Sequence, residues 1–283
     1  MASTLTSVRE IEREITSLRV APGSDGPYQR TSVMTHIAWI PEDWVEAAEE
    51  VLDALAERHP SRTLALIPHP EAEDGLEATV EVSCFPVGDG REICTETIRI
   101  RLNGDTMLAP ESVVQPLFIA DLPVSLRWRG IPPFGERPFE RLVDVADRLI
   151  VDSTEWPRLP ASYARLAELF ERIVVSDIAW ARTSRWREQL ASMWPDIADV
   201  RGIRVVGTEA QAHLLAGWLR SRLERHVKLE HEPAEKLVEV DIDGEPAPFP
   251  PGDPPHPSDL LSEELDKWSR DPIFEAAVRA TVV

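Results

Sequence analysis

The sequence predicts an α/β protein of mixed, largely parallel sheets flanked by helices and divided into two lobes. Three observations predict it. A strand–helix–strand unit runs from Thr31 to Ile67, and such units place their strands parallel with a right-handed crossover. Short apolar strands then alternate with amphipathic helices as far as Ile242. The chain has 283 residues, enough for one large or two modest cores.

Residues 1–29 form a helical extension. Ser7 and Glu10 are spaced as a capping box, and Val8, Ile11, Ile15 and Leu18 follow at helical spacing, an apolar seam suited to docking on the same chain. Pro22–Gly26 break it. The first lobe, 30–156, opens with the strand TSVMTHIAWI from Thr31 to Ile40. Pro41 then sits at a helix start that Glu42 and Asp43 favour, and Trp44, Val45, Ala48, Val51, Leu52 and Leu55 make one apolar face before Pro60. Thr63–Ile67 is the second strand. The alternating runs Ala78–Phe85 and Cys94–Leu102 form an antiparallel hairpin around Val87–Arg91 with its Gly-Asp-Gly turn. Their period of two puts Cys84 with Val80 and Val82, and Cys94 with Ile98 and Ile100, so both thiols are expected to face the core. A helix around Val113–Ile119, a strand Val124–Trp128, a helix Phe139–Ala146 and a strand Arg148–Val151 follow. The two prolines of Glu155–Pro160 mark the lobe boundary.

The second lobe, 157–244, begins with a helix whose face is Leu166, Leu169, Phe170 and Ile173. Val174–Trp180 leads into a helix at Arg185–Trp194, then a strand at Ile203–Val206. The helix Glu209–His226 turns Leu214, Leu215, Trp218 and Leu223 inward, and the strands Val227–His231 and Leu237–Ile242 end the lobe like a hairpin in a mixed sheet. In 245–283, the stretch EPAPFPPGDPPHP predicts an extended connector, because proline removes ladder and helix donors. Behind it an acidic helix carries Leu260, Leu261, Leu265 and Trp268, to dock on the body or on a partner.

The net charge of -20 repels phosphate backbones and anionic membranes, so neither nucleic acid nor a membrane is an expected partner. The sequence shows no signal-peptide run and no stretch of 18 apolar residues, which predicts a cytoplasmic protein. Of the 9 Trp, several must be core while others can anchor an interface. Self-association is not decided by any pattern.

Catalytic signatures are missing from the sequence. It has no G-x-x-x-x-G-K-[ST], no G-x-G-x-x-G after a strand and no G-x-S-x-G elbow, and its histidines, at 36, 59, 69, 213, 226, 231 and 256, lack metal-ligand spacing. No cofactor or metal is expected. Ser153 after Asp152 could be written as a nucleophile, but no His or acid partner can be assigned. His59, Pro60, Ser61 and Arg62 join the first helix to the second strand, either as a plain turn or as an anion site at Arg62. Two Arg/Trp clusters stand out: Arg127, Trp128 and Arg129, and Trp180, Arg182, Arg185, Trp186 and Arg187. Both residue types favour interfaces, guanidinium on indole can hold a sugar phosphate, and internal ion pairing in an acidic protein uses the same residues. Cys84 and Cys94 are either two buried thiols or a cross-strand redox pair.

In order along the chain, RTSVMTHIAWI, HPSR, QPLFIADLPVSLRWRG, ADRLIVDS, SDIAWARTSRWREQLA and LLAGWLRSRL resemble the OpcA family of glucose-6-phosphate dehydrogenase assembly or effector proteins. The resemblance covers roughly Arg30 to Ile242. The chain has Arg127-Trp128 where the family pattern has two tryptophans, and ARTSRW where it has Thr-Arg-Leu-Thr-Pro-Trp. What the resemblance implies is a non-enzyme that binds the dehydrogenase opening the oxidative pentose phosphate pathway and raises its activity or assembly. Trp128, Arg129, Trp180, Arg182, Trp186 and Arg187 are then the contact or scaffold residues. The competing expectation is a phosphosugar- or nucleotide-binding sensor in which Ser61, Arg62, Arg182 and Arg187 converge on an anion.

Overall fold

The structure, a computed structural model, describes residues 4–18, 32–56, 58–86, 92–253 and 255–282. The break at Pro22–Gly26 and the Gly-Asp-Gly turn lie outside the described residues. The chain forms two units, 1–149 and 150–283.

The first unit is built around β1 (Met34–Trp39), buried at every position as a central strand of a parallel sheet must be. Pro41 opens one turn of 3₁₀ helix that runs into α2 (Val45–Ala56). Val45, Ala48 and Leu52 of α2 pack on Ala38, Ile40 and Ala65, and the chain returns as β2 (Ser61–His69), parallel to β1 with Met34 opposite Ser61. The sequence-predicted strand–helix–strand unit is present. β3 (Gly75–Pro86) and β4 (Glu92–Asn103) pair antiparallel, and β4 lies parallel beside β2. The edge strand β3 is met by α1 (Val8–Leu18) and by a bridge from Leu5 to Ala78. In α1 the Glu10 carboxylate caps Thr6 N–H at 2.8 Å while Ser7 Oγ accepts from Glu10 N–H at 3.3 Å, and Ile11 and Ile15 are buried.

The short helix α3 (Glu111–Val114) continues only as a 3₁₀ turn through Leu117, because Pro116 cannot donate to a helical ladder. β5 (Val124–Trp128) then pairs parallel with the free side of β1. The helix predicted over Phe139–Ala146 ends sooner, as α4 (Phe139–Val143). The turn after it lets Asp147 bond both backbone groups of Val124, its N–H donating to the carbonyl and its carboxylate accepting the amide at 2.8 Å. β6 (Arg148–Val151) follows.

The second unit contains α5 (Ala161–Ala167), β7 (Val174–Asp177), α6 (Ile178–Arg182) and α7 (Ser184–Ser192). The strands of the first unit lie in the order β3-β4-β2-β1-β5. A second sheet is centred on β8 (Gly202–Gly207), with β9 (Lys228–Pro233) parallel on one side and β10 (Glu239–Ile242) antiparallel on the other. The mixed sheet was expected, but the last two strands are not a hairpin. The chain crosses the end of β8, where Ala234 N–H donates to Gly207 and Val238 N–H to Val206, so β9 and β10 take opposite edges of that strand. The true hairpin joins β10 to β11 (Glu245–Pro246) through Asp243-Gly244, both at positive φ, 50° and 89°.

The helix α8 (Glu209–Leu223) opens on a full capping box, Thr208 with Gln211, and is buried on both sides. One side meets Ile203, Val205 and Val240 of the sheet; the other meets α10 (Pro272–Arg279). Gly217 makes that approach possible, since any Cβ there would run into the Ala277 carbonyl. The C-terminal segment docks in cis: Leu260, Leu261 and Leu265 of α9 (Pro257–Asp266) are buried, while Trp268 is partly exposed beyond it. Among the described residues, no helix is long and apolar enough to cross a membrane.

Candidate functional site

In open α/β sheets ligands bind beyond the carboxyl ends of the strands, where the strand order reverses. In the first unit that place is the end of β1 and β5. It is filled by aromatic side chains. Trp39 and Trp128 are opposed in register and stack with centroids 4.7 Å apart and planes 6° from parallel; Phe139 meets Trp128 edge-on at 5.1 Å. Arg129 lays its guanidinium over the Trp44 ring at 4.5 Å. Trp128 is thus a core residue, and Arg129 is half-buried beside it.

Ser61 and Arg62 lie at the other end of the sheet, where β2 begins. Neither forms a turn cap. Ser61 shares a hydrogen bond with Thr63, and the buried Arg62 donates from Nε to Glu96 at 2.7 Å and from Nη1 to the Leu117 carbonyl at 2.6 Å. A buried guanidinium with these partners is an internal tie. His36, nearby in β1, is held down to about 4, first by burial and then by Arg127 and His59. It is therefore neutral at ordinary pH.

In the second unit the strand ends carry a hydrogen-bonded polar cluster. Asp177, the last residue of β7 and the N-cap of α6, accepts from Ala179 N–H at 2.9 Å, from Ser153 N–H at 3.0 Å and from Ser153 Oγ at 2.5 Å. Ser153 Oγ also bonds the Tyr163 hydroxyl at 2.7 Å. Asp177, Ser153 and Tyr163 are all fully buried. Burial, then the nearby Asp152 charge, raises the Asp177 carboxyl to about 7. Ser153 is no nucleophile open to a substrate, and its role was not readable in sequence because Asp177 and Tyr163 reach it only through the fold.

Around this cluster stand the predicted second-unit residues. Arg182 donates from Nη1 to both Asp152 oxygens at 2.8 Å. Trp180, buried, donates Nε1–H to Asp271 at 3.0 Å and carries the Arg187 guanidinium over its face at 3.5 Å. Burial lowers Arg187 to about 10, offset in part by Asp271, so it keeps its charge near neutral pH. Trp186, also buried, meets Phe249 edge-on at 5.5 Å. The structure thus joins Trp180, Arg182 and Arg187 in one neighbourhood of α6 and α7, and Trp128, Trp180 and Trp186 are buried.

Cys84 and Cys94 are opposed in register and joined as a disulfide, with Cα atoms 4.0 Å apart. Cys94, on β4 between two strands, is buried, but Cys84, on the edge strand β3, is exposed, so the expectation that both thiols face the core is corrected for Cys84. Among the described residues no group of His, Cys, Asp or Glu is arranged to hold a metal ion.

Comparison with known proteins gives a consistent assignment. The family model for the N-terminal domain of a glucose-6-phosphate dehydrogenase subunit matches residues 52–168, and the family model for the C-terminal domain of the same protein matches 173–249. The chain is 29% identical over 187 residues to a protein named OxPP cycle protein OpcA from Nostoc punctiforme, covering 62% of this chain and 40% of that one. It is 30% identical over 107 residues to the protein of the same name from Synechocystis, covering 37% and 22%. The matches thus span less than half the length of either relative. No solved structure matches it.

Proposed function

The chain belongs to the OpcA family of glucose-6-phosphate dehydrogenase subunits, and from that premise we propose that it is a non-catalytic assembly factor and effector that binds the dehydrogenase and promotes its activity. The observation that carries the non-catalytic part is the filling of the strand ends. Where an α/β enzyme holds substrate, this chain holds its own Trp39–Trp128 stack and its own Ser153–Asp177–Tyr163 cluster. Binding then falls to the surface. The half-buried guanidinium groups of Arg129, Arg182 and Arg187, held rigid by indole or carboxylate, are the proposed contacts; Trp128, Trp180 and Trp186 set their positions.

The test is glucose-6-phosphate dehydrogenase activity from the same organism, titrated with this protein and paired with co-elution on a sizing column. A saturable rise with co-elution is expected; neither effect at micromolar concentration sinks the proposal. The same titration run with sugar phosphates and a thermal-shift readout addresses the sensor alternative, which predicts stabilisation without any dehydrogenase present.

A further inference from the structure

The proline-rich segment expected to be a plain connector is fastened to α7. Arg185 Nη2 donates to the carbonyls of Pro250 at 2.9 Å and Pro251 at 2.8 Å and also reaches that of Gly252, and Nε donates to Pro251 at 3.3 Å. Three consecutive carbonyls thus converge on one guanidinium, whose planar fork suits such a set. One residue before them, Phe249 sets its ring against Trp186, and Ala247 packs on the same apolar cluster. An extended polyproline run on an aromatic-and-arginine platform is the mode by which separate domains capture proline-rich ligands; here ligand and platform are one chain.

The hold is local. Pro250 and Pro251 have no N–H to give, so this stretch of the strap is retained through its carbonyls and the Phe249 ring. The clasp follows the β10–β11 hairpin, whose last tie is Ala247 N–H to the Val240 carbonyl at 2.8 Å, and it ends on Gly252 at a φ of 82°, where a Cβ would meet no neighbour. Phe249 is 65% exposed although it covers Trp186, which is only 5% exposed. A strap so placed hides an Arg/Trp pair, the two residue types most often found as interface anchors, beneath a cover held by a few surface contacts.

We propose that the segment Phe249–Gly252 is an autoinhibitory clasp, held in cis by Arg185 and Trp186, whose release uncovers this pair for the dehydrogenase. The inference rests on the reading of the chain as a dehydrogenase-binding protein. A partner that needs the open form binds more weakly by the fraction of molecules open, so loosening the clasp tightens binding. Arg185→Lys keeps the charge and loses the fork; Phe249→Ala removes the ring and leaves Arg185 intact.

The experiment uses the full chain labelled with 5-fluorotryptophan, the Trp186 resonance being assigned by Trp186→Phe. Its H₂O/D₂O isotope shift reports exposure of that indole, and dehydrogenase affinity is measured on the same samples. Both variants are expected to raise the isotope shift, and Phe249→Ala, which leaves the Arg185–Trp186 pair intact, to tighten binding about tenfold, the scale set by a mostly closed clasp; Arg185→Lys also changes the uncovered anchor and is read by the isotope shift. Affinity unchanged or weakened in Phe249→Ala, with the strap visibly released, overturns the inference while leaving the binding function standing. So does an isotope shift that neither variant moves. If neither the parent chain nor the variants bind, the functional reading fails and the clasp with it; binding by the variants alone supports the clasp.

Discussion

The two units close the ends of their strands by opposite means. In the first, Trp39, Trp128 and Phe139 pack face to face and edge to face, and the space is filled by area and dispersion. In the second, Ser153, Asp177 and Tyr163 fill it with hydrogen bonds among buried polar groups. An aromatic plug depends on volume and is indifferent to pH. A buried carboxyl depends on its proton and on each partner's geometry. The comparison teaches that side chains at strand ends can be packed by either chemistry, and each has its own point of failure.

The largest effect is expected from emptying the plug. Trp128→Ala should destabilise the protein by about 3–5 kcal/mol, since the stack cannot collapse around the missing indole. Trp194→Ala, at an indole 65% exposed, should cost no more than about 0.5 kcal/mol. Urea unfolding of both variants measures the contrast, and equal losses would mean that the Trp39–Trp128 stack is not a structural centre.

Next comes the proton on Asp177. Its folded pKa of about 7 lies above the ordinary 3.8, so between these values the folded state keeps a proton that the unfolded chain has released. Stability from this group is therefore lost as pH rises from about 4 to about 7, on the order of 4 kcal/mol across the window. His36 and His213, both lowered to about 4, act with the opposite sign between about 4 and 6.5, because there the unfolded chain binds the proton first. Asp177→Asn separates the two signs. The amide oxygen can accept from Ser153 and Ala179 N–H while its NH₂ donates to Ser153 Oγ, so the variant should match the parent near pH 4 and exceed it increasingly toward pH 8. A stability difference that does not change with pH would show that Asp177 does not titrate in this range.

Ser153→Ala should cost about 1–3 kcal/mol, because one Asp177 oxygen loses its hydroxyl donor and the Tyr163 hydroxyl keeps only its long bond to the Ala210 carbonyl at 3.5 Å. Ser125→Ala, a buried hydroxyl in β5 without a hydrogen-bond partner, should cost far less, which makes it the control for side-chain deletion alone.

How much of this was legible in the sequence follows from the range of each interaction. Pro41 and Pro60 bracket α2, and the run from Met34 to Trp39 sets Met34 and Ala38 on one face and Ile37 and Trp39 on the other, so the first strand–helix–strand unit is written locally. Thr208 and Gln211 mark the start of α8 in the same way. The pairing of β9 and β10 is not local. Both runs have strand composition, and only the passage of the chain across β8 decides that they take opposite edges. Among the selected site residues, the Arg/Trp spacing identified a real neighbourhood at Trp180, Arg182 and Arg187, but composition cannot tell a buried indole from an exposed one. Arg62 looked available for an anion because Glu96, its partner, lies 34 residues away. The helix α10 was missed although Asp271-Pro272 is a strong start signal.

That start signal carries the smallest effect and the sharpest division of labour. Asp271 Oδ1 accepts from Ile273 N–H at 2.9 Å and Phe274 N–H at 3.0 Å, while Oδ2 accepts from the Trp180 indole. One oxygen caps α10 and the other ties it to the platform that carries Arg187. Asp271→Ala loses both and should cost about 1–2 kcal/mol, the range of a lost N-cap. Asp271→Asn keeps the capping oxygen but sets an NH₂ against the indole N–H, so it should lose only the tie, about 1 kcal/mol or less. Thermal unfolding ranks the two, and dehydrogenase binding adds the decisive readout. If Arg187 is a contact positioned by Trp180, both substitutions weaken binding equally despite their unequal stability; if binding follows stability instead, Asp271 only holds α10 in place.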